Sequence, residues 1–235
     1  MKSDINLDSK VGLTSDCLLQ AKNMRSMHAL RIFGIVLLIY AVLAAAAAVL
    51  FPSGFNPLTN TLQQLGNSEL NPSGAILYNI GVFVICGMTL LMVIILLVSP
   101  KQWLTSRGAK RRVLFYFTLA FMFLFTLFYV VATLVPSSSD YGLNSLLTLL
   151  FIVFFELFVV CSALGIRRLK DYVAWIPRFG FAVAVINLLL VVASAVSGFS
   201  LFSWILSVLS WSYMVAFFYE FSATSNEPTS LETAT

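Results

Sequence analysis

Charge is what this chain has least of. Only 10% of its 235 residues are Asp, Glu, Lys or Arg, while 60% are apolar. A soluble domain carries about 25% charged residues, so a water-solvated globule is excluded. Histidine occurs once and cysteine three times. The cysteines, Cys17, Cys86 and Cys161, stand singly with no metal-type spacing, which removes zinc sites and a disulfide framework from consideration. Lysine is missing from every long apolar run, and no paired carboxylates of the kind a lipid-transferase site uses are present. No metal and no cofactor is therefore expected. The seven prolines also avoid the centres of the apolar runs, where a missing N–H and a ring clash would break a helix.

What is present is apolar length. A helix needs about 20 apolar residues to cross a hydrocarbon core about 30 Å thick. Six stretches meet that requirement, at 29–51, 74–98, 113–135, 144–166, 179–198 and 200–221. They are too long and too continuously apolar for barrel strands, and only helices or closed barrels satisfy the backbone in lipid. The predicted fold is an all-α, polytopic membrane bundle of six transmembrane helices. Residues 1–28 form an N-terminal tail with a short interfacial helix as one reading, 29–221 the membrane domain with its long loop at 52–73, and 222–235 a disordered tail.

The fourteen Lys and Arg residues sort into three clusters. Lys2, Lys10, Lys22, Arg25 and Arg31 precede or open the first run. Lys101, Arg107, Lys110, Arg111 and Arg112 lie between the second and third, and Arg167, Arg168, Lys170 and Arg178 between the fourth and fifth. Short basic loops stay in the cytoplasm, so both termini are expected there and the 52–73 loop outside. The cations flank apolar runs and form no patch interleaved with exposed aromatics, which points to anionic lipid and away from nucleic acid. Membrane lipids are the expected partners. No soluble partner is implied, and self-association is left open.

Glu156 is the candidate that stands out within the runs, because a carboxylate at membrane depth costs several kcal/mol unless paired, protonated or hydrated. It lies nine residues before Gly165, and Asn187 lies nine residues after Arg178. Equal rise per residue puts both at one depth, so their side chains are expected to hydrogen-bond. Ser207 and Ser210 fall near that level. Glu156, Asn187 and Ser210 are thus candidates for ligand binding or a proton relay, with interhelical glue as the structural alternative. His28, beside Arg31, reads as a solvated interfacial residue. The aromatic third run (Phe115, Tyr116, Phe117, Phe121, Phe123, Phe125, Phe128, Tyr129) reads as packing and lipid contact, or as a groove for an acyl chain. Small residues at 44–48, Gly81, Gly87 and 193–198 are expected to be packing seams.

The long loop concentrates the remaining polarity. Leu58, Leu62, Leu65 and Leu70 recur at near-helical spacing among Asn, Thr and Gln, predicting an amphipathic helix that caps the bundle and stops at Gly66. The run Asn60-Thr61-Leu62-Gln63-Gln64-Leu65-Gly66, then Asn71-Pro72 and Tyr78-Asn79-Ile80-Gly81, resembles the signature of domain-of-unknown-function family 998. The motif covers about residues 51–90, and Gln64 stands where that pattern commonly has an acid. The resemblance implies a prokaryotic six-pass cell-membrane protein and singles out Asn60, Thr61, Gln64, Gly66, Asn71 and Asn79; it implies no activity. A more distant likeness, by layout only, is to the Frag1/DRAM/Sfk1 group of six-span families. The leading expectation is a non-enzymatic protein that binds, senses or moves a lipid or small amphiphile. The alternatives are an enzyme acting on lipid headgroups with Glu69 or Asp140 as acid/base, and a structural or assembly subunit.

Overall fold

The structure is a computed structural model that describes residues 30–52, 54–98, 109–135, 141–168 and 173–224. The tail readings, His28, Cys17 and Asp140 lie outside these residues. Among the described residues all regular structure is helical, and six helices are long and apolar enough to cross a membrane. They are α1 (Leu30–Val49), α2 (Ala75–Val98), α3 (Ala109–Leu134), α4 (Tyr141–Ile166), α5 (Trp175–Ser197) and α6 (Leu201–Thr224). One 3-10 turn, Leu62–Gly66, interrupts the α1–α2 loop. The chain is a multi-pass integral membrane protein.

The boundaries depart from expectation where polar residues extend a helix. α3 starts at Ala109, so the basic run up to Arg112 is already helical. α5 starts at Trp175, which puts Pro177 inside its first turn. There the missing proline N–H is one that no helical partner would have used. α5 ends at Gly198 with φ of 70°, a left-handed cap whose N–H bonds to Ser194 O at 2.9 Å. That cap turns the chain sharply into α6, making the two helices antiparallel neighbours.

Packing follows chain order around the bundle: α2 on α3, α3 on α4, α4 on α5 and α5 on α6. α1 closes the circuit. Its Phe33 meets Phe218 of α6 with ring centroids 4.6 Å apart, and its Tyr40 and Leu43 sit against Gly81 of α2. A Cβ at Gly81 would lie 3.2 Å from the Tyr40 ring, so that seam is real. Gly87 is different: nothing lies within 4 Å of a Cβ placed there. Most of the expected small-residue seam at the end of α5 is likewise solvent- or lipid-facing, with Ala195, Val196, Ser197 and Gly198 exposed. The tightest approach on α5 comes earlier, at Gly180, where a Cβ would be 2.7 Å from the Tyr213 ring and 3.0 Å from Ala163 Cβ.

The aromatic side chains divide by face. Tyr116, Phe117 and Phe123 of α3 are exposed, as lipid contacts should be. Phe125 points inward, edge-on to Phe155 at 5.3 Å and tilted on Phe158 at 5.4 Å, while Phe128 stacks on Phe154 at 5.3 Å. Such edge-on and offset pairs add roughly 0.5–1.5 kcal/mol each beyond area burial. With Phe217, Met122 and Met214 they fill the half of the bundle near the basic helix ends.

Candidate functional site

The α1–α2 loop folds over one end of the bundle, and its hydrogen bonds show how. Gln64 Oε1 accepts from the Thr61 N–H at 3.0 Å and from Asn60 Nδ2 at 3.1 Å. Asn71 is fully buried and fully used: its amide donates to Ala47 O of α1 and to Leu65 O, each at 3.0 Å, and its oxygen accepts the Gly74 N–H at 3.1 Å. Asn79 of α2 donates to Gly66 O at 3.2 Å. Gln63 reaches Thr148 of α4 at 3.1 Å, and Trp204 of α6 donates its indole N–H to Asn60 O at 3.0 Å. The Ser200 N–H adds a bond to Leu58 O at 3.1 Å. The loop is therefore a folded cap tied to α1, α2, α4 and α6.

The cap is not the amphipathic helix that the leucine spacing suggests. Only five residues turn, as a 3-10 helix. Leu65 is buried, but Leu58 and Leu70 are exposed. Pro57 and Pro72 flank the segment, and Asn side chains in and just before it accept from nearby backbone, as Leu58 N–H to Asn56 Oδ1 at 3.0 Å and Glu69 N–H to Asn67 Oδ1 at 2.9 Å, which competes with helix. Gly66 does end the turn. A Cβ there would stand 2.5 Å from Asn79 Oδ1 and 2.8 Å from the Tyr78 ring, so the close packing of cap on α2 requires glycine.

Beneath the cap is a cavity of about 340 Å³ bounded by α2 to α6. Its apolar wall comes from Phe125, Phe151, Phe155, Ile152 and Leu206, and its polar points from Tyr78, Tyr129, Thr126, Ser207 and Ser210. A second, wider hollow of about 550 Å³ lies beside it between cap, α3 and α4. Thr61, Gln63, Thr148 and Ile152 border both. The Gln63–Thr148 bond therefore stands at the junction of the two spaces.

At one side of the cavity the expected bond is present: Asn187 Nδ2 donates to Glu156 Oε1 at 2.8 Å. The same nitrogen donates to Ser210 Oγ at 3.3 Å, so α4, α5 and α6 meet at one polar knot. Ser210 borders the cavity, with Glu156 and Asn187 behind it. Glu156 Oε2 and Asn187 Oδ1 are buried with no partner. Two acceptors left over at one knot need a hydrogen between or near them, which a protonated carboxyl group would supply.

Sequence reasoning passed over a second polar cluster. The hydroxyls of Tyr40, Tyr78 and Tyr129, from α1, α2 and α3, form a buried triangle with edges of 3.5, 3.3 and 3.2 Å. These edges exceed the usual O–H···O distance of about 2.8 Å, so the hydroxyls are loosely held. Tyr78 and Tyr129 border the cavity, as Ser210 does. Nothing in the spacing within one helix marks such a cluster, because it requires three helices to be placed. Glu220 of α6 was also unmarked; it is buried and accepts the Val173 N–H just ahead of α5 at 3.3 Å.

The cap residues Asn60, Gln64, Gly66, Asn71 and Asn79 thus serve to build the roof, and of the motif run only Thr61 and Gln63 border both hollows. Glu69 lies in the cap and is exposed. Among the described residues no three His, Cys, Asp or Glu side chains gather as a metal site. Compared with known protein families, with curated proteins and with solved structures, the chain finds no match.

Proposed function

We propose that this membrane protein binds a small amphiphile in the cavity under its cap, as a carrier or sensor and not as an enzyme. The observation that carries this reading is the cavity itself: about 340 Å³ with an aromatic and aliphatic wall and a few polar points. Small-molecule sites have this size and this balance. The adjoining hollow, bordered by the cap, is a natural approach route. The enzyme alternative needs two ionisable groups within hydrogen-bond reach of a substrate. Among the described residues the cavity wall carries no ionised side chain, so nothing favours it.

The same proposal sets the orientation: the cap faces outward, both termini and the basic helix ends face the cytoplasm, and the protein resides in a prokaryotic cell membrane. Arg31, Arg112, Arg167, Arg168 and Arg178 support this, since each lies at a helix end opposite the cap. Membership of domain-of-unknown-function family 998 belongs to this proposal too, resting on the sequence run from Asn60 to Gly66 with Asn71 and Asn79. Native mass spectrometry of the protein released from lipid discs tests the binding. One retained amphiphile per chain is expected, lost when Ser207→Phe fills the cavity. A chain that never retains one, or retains it equally in the filled variant, contradicts the reading.

A further inference from the structure

The hydroxyls around the cavity are committed in a way that selects a headgroup. Thr89, Thr126, Thr148, Ser203 and Ser207 each donate to a carbonyl three or four residues back on their own chain: to Ile85 at 2.9 Å, Met122 at 2.7 Å, Asn144 at 2.8 Å, Ser200 at 2.6 Å and Ser203 at 2.9 Å. Each hydroxyl has one proton, and here that proton is spent. What remains for the cavity is lone pairs, one of those on Thr148 being already used by Gln63. The fixed donors at the wall are the amide of Gln63 and the indole N–H of Trp211. The hydroxyls of Thr61, Ser194, Ser210, Tyr78 and Tyr129 are not committed to a helix carbonyl and can serve in either sense. Among the described residues no Lys, Arg or His borders the space, so nothing there offsets the cost of burying an anionic head.

We infer that the cavity takes an uncharged amphiphile whose head donates hydrogen bonds, a hydroxylated headgroup such as a glycerol monoester, in preference to heads that are anionic or accept only. The inference deepens the amphiphile-binding reading and rests on it. Acceptors fixed by their own helices are preorganised, so they need no rearrangement to meet a donor. An anion would find these five hydroxyls turned away and no cation among the described lining residues to offset its burial.

The test uses the full chain in lipid discs and three probes of one chain length: monolauroylglycerol, methyl laurate and laurate. The glycerol ester should bind about tenfold more tightly than the methyl ester, the worth of roughly one hydrogen bond, and laurate should bind most weakly. Thr126→Val and Ser207→Ala each remove a lone pair at little change of shape, and either should narrow the glycerol-over-methyl preference several-fold. Unchanged thermal unfolding shows which variant is folded; the comparison of probes on the unmodified protein stands without either. Laurate or methyl laurate binding as tightly as the glycerol ester overturns the headgroup inference and leaves the amphiphile cavity standing. A preference untouched in both folded variants overturns the assignment to these hydroxyls. If none of the three binds, both readings fall together.

Discussion

Two asparagines, both buried to 0% exposure, occupy opposite ends of the functional architecture and are treated in opposite ways. Asn71 in the cap uses its nitrogen twice and its oxygen once, each time on backbone. Asn187 in α5 spends its nitrogen on two side chains and leaves its oxygen without a partner. A buried amide that is fully satisfied by backbone fixes the path of the chain, whereas one tied only to side chains can exchange partners without moving the fold. Asn71 is therefore scaffold, whereas the knot beside the cavity retains unspent hydrogen-bonding capacity, as the roof does only at Asn79 Oδ1.

The largest effect should come from Asn71→Ala. It strands Ala47 O, Leu65 O and the Gly74 N–H at once, and about 3–5 kcal/mol of stability should disappear in denaturant titration in mild detergent. Gly74→Ala is next: its Cβ would lie 2.6 Å from Ala47 O and among the Asn71 amide atoms, which cannot yield without loosening the cap. A loss of about 2–3 kcal/mol is expected by the same titration. Asn187→Ala should cost only about 1 kcal/mol, since interhelical side-chain bonds in bundles of this kind are worth little. A cost equal to that of Asn71→Ala would erase the distinction between roof and knot.

Glu156→Gln should have the smallest effect of all. A glutamine amide places a donor where Oε2 stands, beside the unpartnered Asn187 oxygen, so the melting temperature should hold or rise slightly, within about 0.5 kcal/mol. A marked destabilisation would mean that the knot requires a carboxylate, not a donor, at this point.

The six helices were legible because apolar run length is dictated by bilayer thickness and needs no tertiary information. The Glu156–Asn187 bond was legible for a related reason: counting equal rise back from Gly165 and forward from Arg178, either side of one short connection, puts both residues at one depth. The cap was legible only in part. Its polar content and Gly66 signalled a folded segment, but leucine spacing suggested a helix where Pro57, Pro72 and the Asn side chains permit a single 3-10 turn. The tyrosine triangle and the cavity were not legible, since both depend on the side-by-side order and rotation of helices, which span length does not constrain. The same is true of Gly180, whose closeness to Tyr213 shows only after α5 and α6 are packed.

The central claim is that the space between Tyr129 and Ser210 is a binding cavity and not a packing gap. A density map of the protein in lipid discs, at a resolution that shows side chains, tests it most directly. The account predicts elongated non-protein density along Phe125, Phe151 and Phe155, with its polar end within hydrogen-bond reach of Thr126 or Ser207. Helices closed on one another, with these side chains in direct contact and no space between them, would contradict it.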